Sequence, residues 1–82
     1  MYFVYVLFST KLNKRYIGST SNIDKRLRQH NAGKSRFKKG GIPWELIYKE
    51  SFLTLSEARK RELFIKSGSG RKYLNQIFNK EF

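Results

Sequence analysis

No cysteine occurs among these 82 residues, so the chain must hold itself together by packing alone. Its absence excludes a disulfide framework and any thiolate zinc site, and a single histidine excludes a His-rich metal cluster. A chain of this length is expected to form one domain over residues 1–82. Small domains bury only about 60% of the surface that their unfolded chains expose, so the core must use its side chains efficiently. The available material is aromatic, with seven Phe, five Tyr and one Trp. Each such ring buries about 150–250 Å², and a few suffice for a thin core. The expectation is a folded domain, not a disordered basic tail.

The chain divides into short periodic stretches. Tyr2–Ser9 is β-branched and aromatic, lacks Gly and Pro, and reads as a strand. Thr10 to Lys14 supplies turn residues, and Arg15–Thr20 reads as a second strand paired to the first through a hairpin. Gly18 is unfavourable there unless a bulge or the close approach of another group requires it. Ser21-x-x-Asp24 has capping-box spacing and opens a helix that Gly33 ends with a left-handed cap. Residues 34–43 read as a basic loop. Trp44–Phe52 reads as a third strand with Trp44, Leu46 and Tyr48 on one face. Thr54-x-x-Glu57 caps a second helix running to about Ser67; Ser67-Gly68-Ser69-Gly70 breaks it, and a last helix covers Arg71–Asn79. The order ββαβαα predicts an α/β (α+β) domain, a small three-stranded antiparallel sheet flanked by three helices.

Charge narrows the partner. Lys and Arg number 18 against 6 Asp and Glu, a net charge of +12. Such an excess makes the compact state repel itself, and an anionic partner relieves the repulsion. Residues 25–41 hold Lys25, Arg26, Arg28, Lys34, Arg36, Lys38 and Lys39 with no acid. Nucleic acid fits this better than a solvated face serving solubility alone. No helix pairs a strong apolar face with a basic one, so a membrane surface is not the expected partner. No apolar run approaches the roughly 18 residues of a membrane span. The first residues lack the basic region and cleavage site of a signal peptide, and the expected location is cytoplasmic.

Polar residues on core-facing positions single out a site. On the first helix, Ile23 and Leu27 should be buried, yet Arg26 and His30 lie on the same side and are neighbours at i and i+4. On the second helix, Leu55, Ala58 and Ile65 form the apolar arc, and Glu62 sits in its middle. A carboxylate there must be paired, hydrogen-bonded or bound to a cation; an internal pair with Arg26 would satisfy it. Tyr5 and Tyr16, on adjacent strands with Gly18 beside one of them, either fill the core or line a shallow pocket. A phenol is a donor, an acceptor and, with its pKa lowered by a cation, a base.

These residues occur in a recognisable order. Phe3-Val4-Tyr5 stands where a GIY triplet would lie, and Tyr16-Ile17-Gly18 is an intact YIG triplet one strand–turn–strand away. Ser19-Thr20-Ser21-Asn22 follows, then Arg26 and His30-Asn31, then Pro43-Trp44-Glu45-Leu46-Ile47-Tyr48, then Glu57-Ala58-x-x-Arg61-Glu62. From residue 2 to about 74 the chain resembles the GIY-YIG nuclease superfamily, and most of all its short stand-alone branch related to the N-terminal domain of the ABC excinuclease. Phe3 replaces the first glycine but keeps the tyrosine, as is common in that branch. Ser19 stands where the excinuclease branch tends to carry Lys.

The resemblance implies a metal-dependent endonuclease that hydrolyses DNA phosphodiester bonds. Glu62 would be the single protein ligand of Mg²⁺ (or Mn²⁺), which accepts few protein ligands because it keeps most of its waters. Arg26 would hold the scissile phosphate. Tyr5 or Tyr16 would take the proton from the attacking water, Tyr16 being favoured, with Tyr5 and His30 orienting it. Lys25, Arg28, Lys34, Arg36, Lys38, Lys39 and Asn75 would contact the nucleic acid. With no second domain to read sequence, recognition is expected to follow structure or backbone. Two alternatives stay open: a catalytically weak nucleic-acid-binding module on the same fold, and a basic scaffold whose tyrosines stack on RNA bases.

Overall fold

A computed structural model describes residues 1–33 and 40–78. Its elements follow the order β1 (Tyr2–Ser9), β2 (Lys14–Thr20), α1 (Ile23–Asn31), β3 (Glu45–Phe52), α2 (Leu55–Lys66) and α3 (Gly68–Phe78). The three strands form one antiparallel sheet in the order β2-β1-β3, so the chain's first strand is its centre. This is the expected α+β architecture. Among the described residues no helix is long and apolar enough to cross a membrane.

The central strand is buried on both faces, which is why it is a continuous apolar run and not an alternating one. Val4 and Val6 face Ala58 and Ile65 of α2 and Leu74 of α3. Tyr5 and Leu7 face the other way, into a second cluster completed by Trp44 and by Ile23 and Leu27 of α1. The sheet is therefore sandwiched, with α1 on one side and the α2–α3 pair on the other. A fully buried Val, Leu or Ile contributes about 1.5–3 kcal/mol relative to exposure, so the few positions in each cluster must all be filled.

Local chemistry explains most boundaries. Asn13 takes a left-handed conformation (φ 54°) in the turn that joins β1 to β2. The α1 cap is Asn22, whose side chain accepts from the Lys25 amide at 3.0 Å; Ser21, the expected cap, lies one residue too early. The Thr20 hydroxyl accepts from the Asn22 amide at 3.1 Å and sets the chain's exit from β2. Gly33 ends α1 at φ 73°, as expected for a left-handed cap. Thr54 caps α2, accepting from the Glu57 amide at 3.2 Å and donating to the Glu57 carboxylate at 3.0 Å.

Two expectations about faces and ends are corrected. In β3, Val6 pairs with Tyr48 but Leu7 pairs with Leu46, leaving Ile47 as the extra residue of a β-bulge. Trp44 and Leu46 keep the Tyr5 face, while Tyr48 moves with Ile47 to the Val6 face. Ser67-Gly68-Ser69-Gly70 does not separate the last helix from its predecessor by a loop. Ser67 alone ends α2, and its hydroxyl accepts from the Gly70 amide at 3.2 Å to start α3 at Gly68. Gly70 is there for proximity: a Cβ on it would collide with the Phe64 carbonyl oxygen and lie 2.5 Å from Ile65 Cα, both backbone atoms. A Cβ on Gly68 meets nothing within 4 Å.

The two glycines should thus respond oppositely to the same substitution. Gly70→Ala is expected to lower stability by about 1–3 kcal/mol, the usual cost of overpacking. Gly68→Ala should leave it unchanged or raise it by up to about 1 kcal/mol, through the unfolded chain. Urea unfolding midpoints check both; equal effects would mean that α2 and α3 can move apart to admit a methyl group.

Candidate active site

The site forms at the edge strand β2, where groups from the two faces of the sheet come together. Gly18 pairs with Tyr5 across the sheet, so both point to the α1 face. A Cβ on Gly18 would lie 2.6 Å from the Tyr5 hydroxyl and 2.8 Å from Cζ. The missing side chain lets the phenol of the central strand lie across β2 and carry its hydroxyl to the edge. Tyr16, two residues earlier on β2, lies beside it with ring centroids 6.3 Å apart and planes inclined by 29°.

His30 from α1 closes this group. Its ring meets Tyr16 edge-on at 4.4 Å between centroids, its Nε2 lies 3.4 Å from the Tyr5 hydroxyl, and it is only 1% exposed. The helix is held in place by Asn31, whose amide donates to the Trp44 carbonyl at 3.1 Å and accepts from the Trp44 amide at 2.7 Å. Trp44 in turn stands 6.3 Å from both the Tyr16 and His30 rings. Burial pushes the Tyr5 hydroxyl up to about 12; the Tyr16 hydroxyl and the Glu62 carboxylate add to this and the Arg26 guanidinium opposes it. Tyr5 is therefore neutral at physiological pH.

Glu62 approaches from the opposite face. Ser19 pairs with Val4 and so points toward α2, where its hydroxyl donates to Glu62 Oε1 at 2.6 Å. Lys66, one turn later on α2, donates to Oε2 at 2.6 Å. The internal pair with Arg26 does not form: Lys66 takes that place because it is already four residues away on the same helix, whereas Arg26 is on the other side of the sheet. The Glu62 side chain is 19% exposed and that of Lys66 50%. Partial burial pushes the Glu62 carboxyl up, but hydrogen bonds from Lys66 and Ser19 outweigh it and hold the group below the usual carboxylate range.

The rotation of α2 that delivers Glu62 is set by its neighbour. Arg61 donates to Glu50 of β3 from Nε at 2.8 Å and from Nη2 at 3.3 Å. Its guanidinium also lies over the Phe64 and Tyr73 rings, at 4.8 and 5.0 Å, and the Phe64 ring itself meets Tyr73 of α3 edge-on. Arg61 is thus consumed in tying α2 to β3, and Glu62 is the residue left to face the edge of β2.

Arg26 is exposed on α1 and has no carboxylate partner among the described residues. It lines a shallow polar groove of about 420 Å³ with Thr20, Asn22, Lys25 and Gln29. Lys25 and Arg28 are likewise exposed. Lys34, Arg36, Lys38 and Lys39 lie outside the described residues. Asn75 is on α3, away from α1, with its Oδ1 buried and without a hydrogen-bond partner among the described residues. Ser19, Lys66 and Asn31 build the site without being among the residues that sequence predicts for it. Lys66 is legible as the i+4 partner of Glu62; Ser19 and Asn31 act through contacts that only the fold creates.

No group of three or more His, Cys, Asp or Glu able to hold a metal ion occurs among the described residues. A closed, all-protein cage is thereby absent from them, while a single-carboxylate site for a heavily hydrated cation is compatible with Glu62. The carboxylate is ionised, partly buried and already neutralised by a cationic group, Lys66, that is half exposed.

Comparison with known proteins places this geometry in context. The GIY-YIG catalytic domain family model matches residues 1–75. A UPF0213 protein of Staphylococcus haemolyticus is 39% identical over 77 residues, covering 93% of each chain. A UPF0213 protein of Clostridium perfringens is 36% identical over 81 residues, 98% of this chain and 86% of its own. The UPF0213 protein YazA of Bacillus subtilis is 39% identical over 72 residues, 87% of this chain and 72% of its own.

The state of Tyr5 can be read directly. With its pKa raised from 10.0 to about 12, the folded state holds the phenolic proton longer than the unfolded state does. This contribution to stability is complete below about pH 10 and is lost as pH rises through about 12. Spectrophotometric titration of tyrosinate, with circular dichroism reporting the fold, should show a step near 12 that disappears in Tyr5→Phe. Loss of a step at or below 10 instead would show that burial does not hold the phenolic proton of Tyr5.

Proposed function

The chain belongs to the GIY-YIG catalytic domain family, and from that premise we propose that it is a divalent-metal-dependent endonuclease domain acting on DNA. The observation that carries the reading is the convergence at β2 of an ionised carboxylate, Glu62, with the Tyr5–Tyr16–His30 cluster. Ser19, which receives Glu62, adjoins Gly18, over which the Tyr5 hydroxyl lies, so carboxylate and phenol reach the same stretch of β2. Phosphodiester hydrolysis requires an activated water, neutralisation of charge on the phosphoryl oxygens and help for the leaving oxygen.

Each requirement has a candidate. Glu62 would hold Mg²⁺ or Mn²⁺, with Ser19 fixing one carboxylate oxygen and Lys66 yielding the other. The cation, when bound, supplies electrostatic stabilisation of charge developing on the phosphoryl and leaving oxygens. Arg26, exposed and without a carboxylate partner among the described residues, is suited to grip the phosphate. Tyr16, in its phenolate form, would accept the proton of the attacking water and become the neutral phenol, with Tyr5 beside it and His30 packed on its ring to hold it in place. Lys25 and Arg28 extend the cationic face of α1 along the backbone. Contacts of this kind carry no base information, so recognition follows backbone or structure.

One observation favours a second reading. The Lys66 ammonium occupies the oxygen that a metal would need, as suits a nucleic-acid-binding module whose chemistry is weak. Cleavage of labelled flaps, forks, duplexes and single strands with Mg²⁺, Mn²⁺ or EDTA separates the two. In the nuclease reading, Glu62→Ala lowers metal-dependent cleavage by at least about a hundredfold, the scale seen when one electrostatic group is removed from an active site. Binding without metal should persist and weaken linearly with log salt, by about 0.9 per phosphate contact. If wild type binds the panel without cutting it, and Glu62→Ala binds at least as well, the binding module is the correct reading.

A further inference from the structure

Both oxygens of the Glu62 carboxylate are engaged, and the two donors differ in kind. Oε1 accepts from the Ser19 hydroxyl and Oε2 from the Lys66 ammonium, each at 2.6 Å. Ser19 belongs to β2 and pairs with Val4 of the central strand, so the sheet itself fixes its short side chain. Lys66 reaches the carboxylate from the next turn of α2, through a flexible four-carbon stem that ends in a point charge. Its side chain is 50% exposed against 19% for that of Glu62, so an ammonium leaving the pair returns to water.

The other ion pair of α2 shows what a permanent partner looks like. Arg61 holds Glu50 through two hydrogen bonds, at 2.8 and 3.3 Å, and its guanidinium lies over the Phe64 and Tyr73 rings. There a planar fork is fixed by geometry and by stacking. Glu62 has instead a single ammonium at i+4, the kind of pair that contributes least to stability. Yet Glu62 shares its helical arc with buried Ala58 and Ile65, and a carboxylate so placed needs compensation before any metal arrives.

We propose that Lys66 is an exchangeable counter-ion of Glu62, which satisfies the carboxylate in the metal-free protein and surrenders Oε2 to a hydrated divalent cation, while Ser19 keeps Oε1. This rests on the reading of Glu62 as a metal ligand and states how that site is kept and regulated. Mg²⁺ sits about 2.0–2.1 Å from an oxygen ligand and keeps several waters around it. An ammonium 2.6 Å from the same oxygen stands where those waters would lie, and it repels the incoming charge. The exchange leaves Glu62 compensated in both states, and it sets the metal affinity below that of a carboxylate without a partner.

Mg²⁺ titration of the isotope-labelled protein, without nucleic acid, tests the exchange apart from cleavage. The Ser19 and Glu62 amide resonances should shift to saturation. The Lys66 Nζ resonance should move in step with them, toward its position in metal-free Glu62→Gln. Lys66→Gln should tighten Mg²⁺ binding about three- to tenfold, through lost competition and lost repulsion. Lys66→Arg restores a cation at i+4 and should bind no more tightly than wild type. Lys60→Gln removes the same charge from an exposed position of α2 that is two residues from Glu62 and does not face it; it should change the affinity less than about twofold. Saturable shifts at Ser19 and Glu62 with an unmoved Lys66 Nζ would overturn the exchange and leave the metal site standing, as would equal affinities of Lys66→Gln and Lys60→Gln. If neither wild type nor Lys66→Gln shows those shifts, Glu62 is not a metal ligand, and the exchange is overturned together with that reading.

Discussion

The burial of β1 on both faces governs this structure. A strand with Val4 and Val6 on one side and Tyr5 and Leu7 on the other needs two separate covers, and the chain supplies α1 for one and the α2–α3 pair for the other. The same alternation divides the chemistry. Phenols and imidazole fall on the α1 face, while the carboxylate falls on the α2 face. They can meet only where the sheet ends, and β2 is that end. Gly18 and Ser19, adjacent residues pointing to opposite faces, do the joining. One lets Tyr5 cross the strand, and the other receives Glu62.

Two neighbouring residues on α2 show how a motif divides its labour. Arg61 and Glu62 are both charged and both partly buried, yet their surroundings separate them. Arg61 finds a carboxylate in bidentate geometry and two aromatic faces, a set of contacts suited to the flat guanidinium. That clamp sets the helix's rotation about its own axis. Glu62, roughly 100° further round on a helix of 3.6 residues per turn, is thereby directed to Ser19. The carboxylate of the site is aimed by the structural residue beside it.

Lys66 gives the site a built-in tension. Paired with Glu62 it removes the cost of a carboxylate held away from water, and the fold can form without a bound cation. The same pairing sets a competitor against any cation at that carboxylate. Half-exposed and tethered at i+4, it is a weak competitor, since such helical pairs are worth about 0.3–0.5 kcal/mol.

The order of elements and the oddities that mark the site were legible in the amino-acid sequence. Thr54 and Gly33 act through their immediate neighbours, so their caps could be read locally, and Glu62 stood out because helical periodicity alone placed it in an apolar arc. What escaped this reading was decided by contacts that the pattern of residue types does not display. Ser21 and Asn22 are comparable cap residues, and the turn made by Thr20 chose between them. Glycine-rich residues 67–70 read as a break because glycine is a poor helix former, yet the close approach of two helix backbones makes Gly70 the residue that fits. The bulge at Ile47 reversed the face of Tyr48, since the pairing of β1 with β3 and not alternation within β3 sets which side chains enter which core. Asn31 and Ser19 stand within the motif, but their roles were not legible there; each became a site-building residue only when folding brought Trp44 and Glu62 within hydrogen-bonding distance.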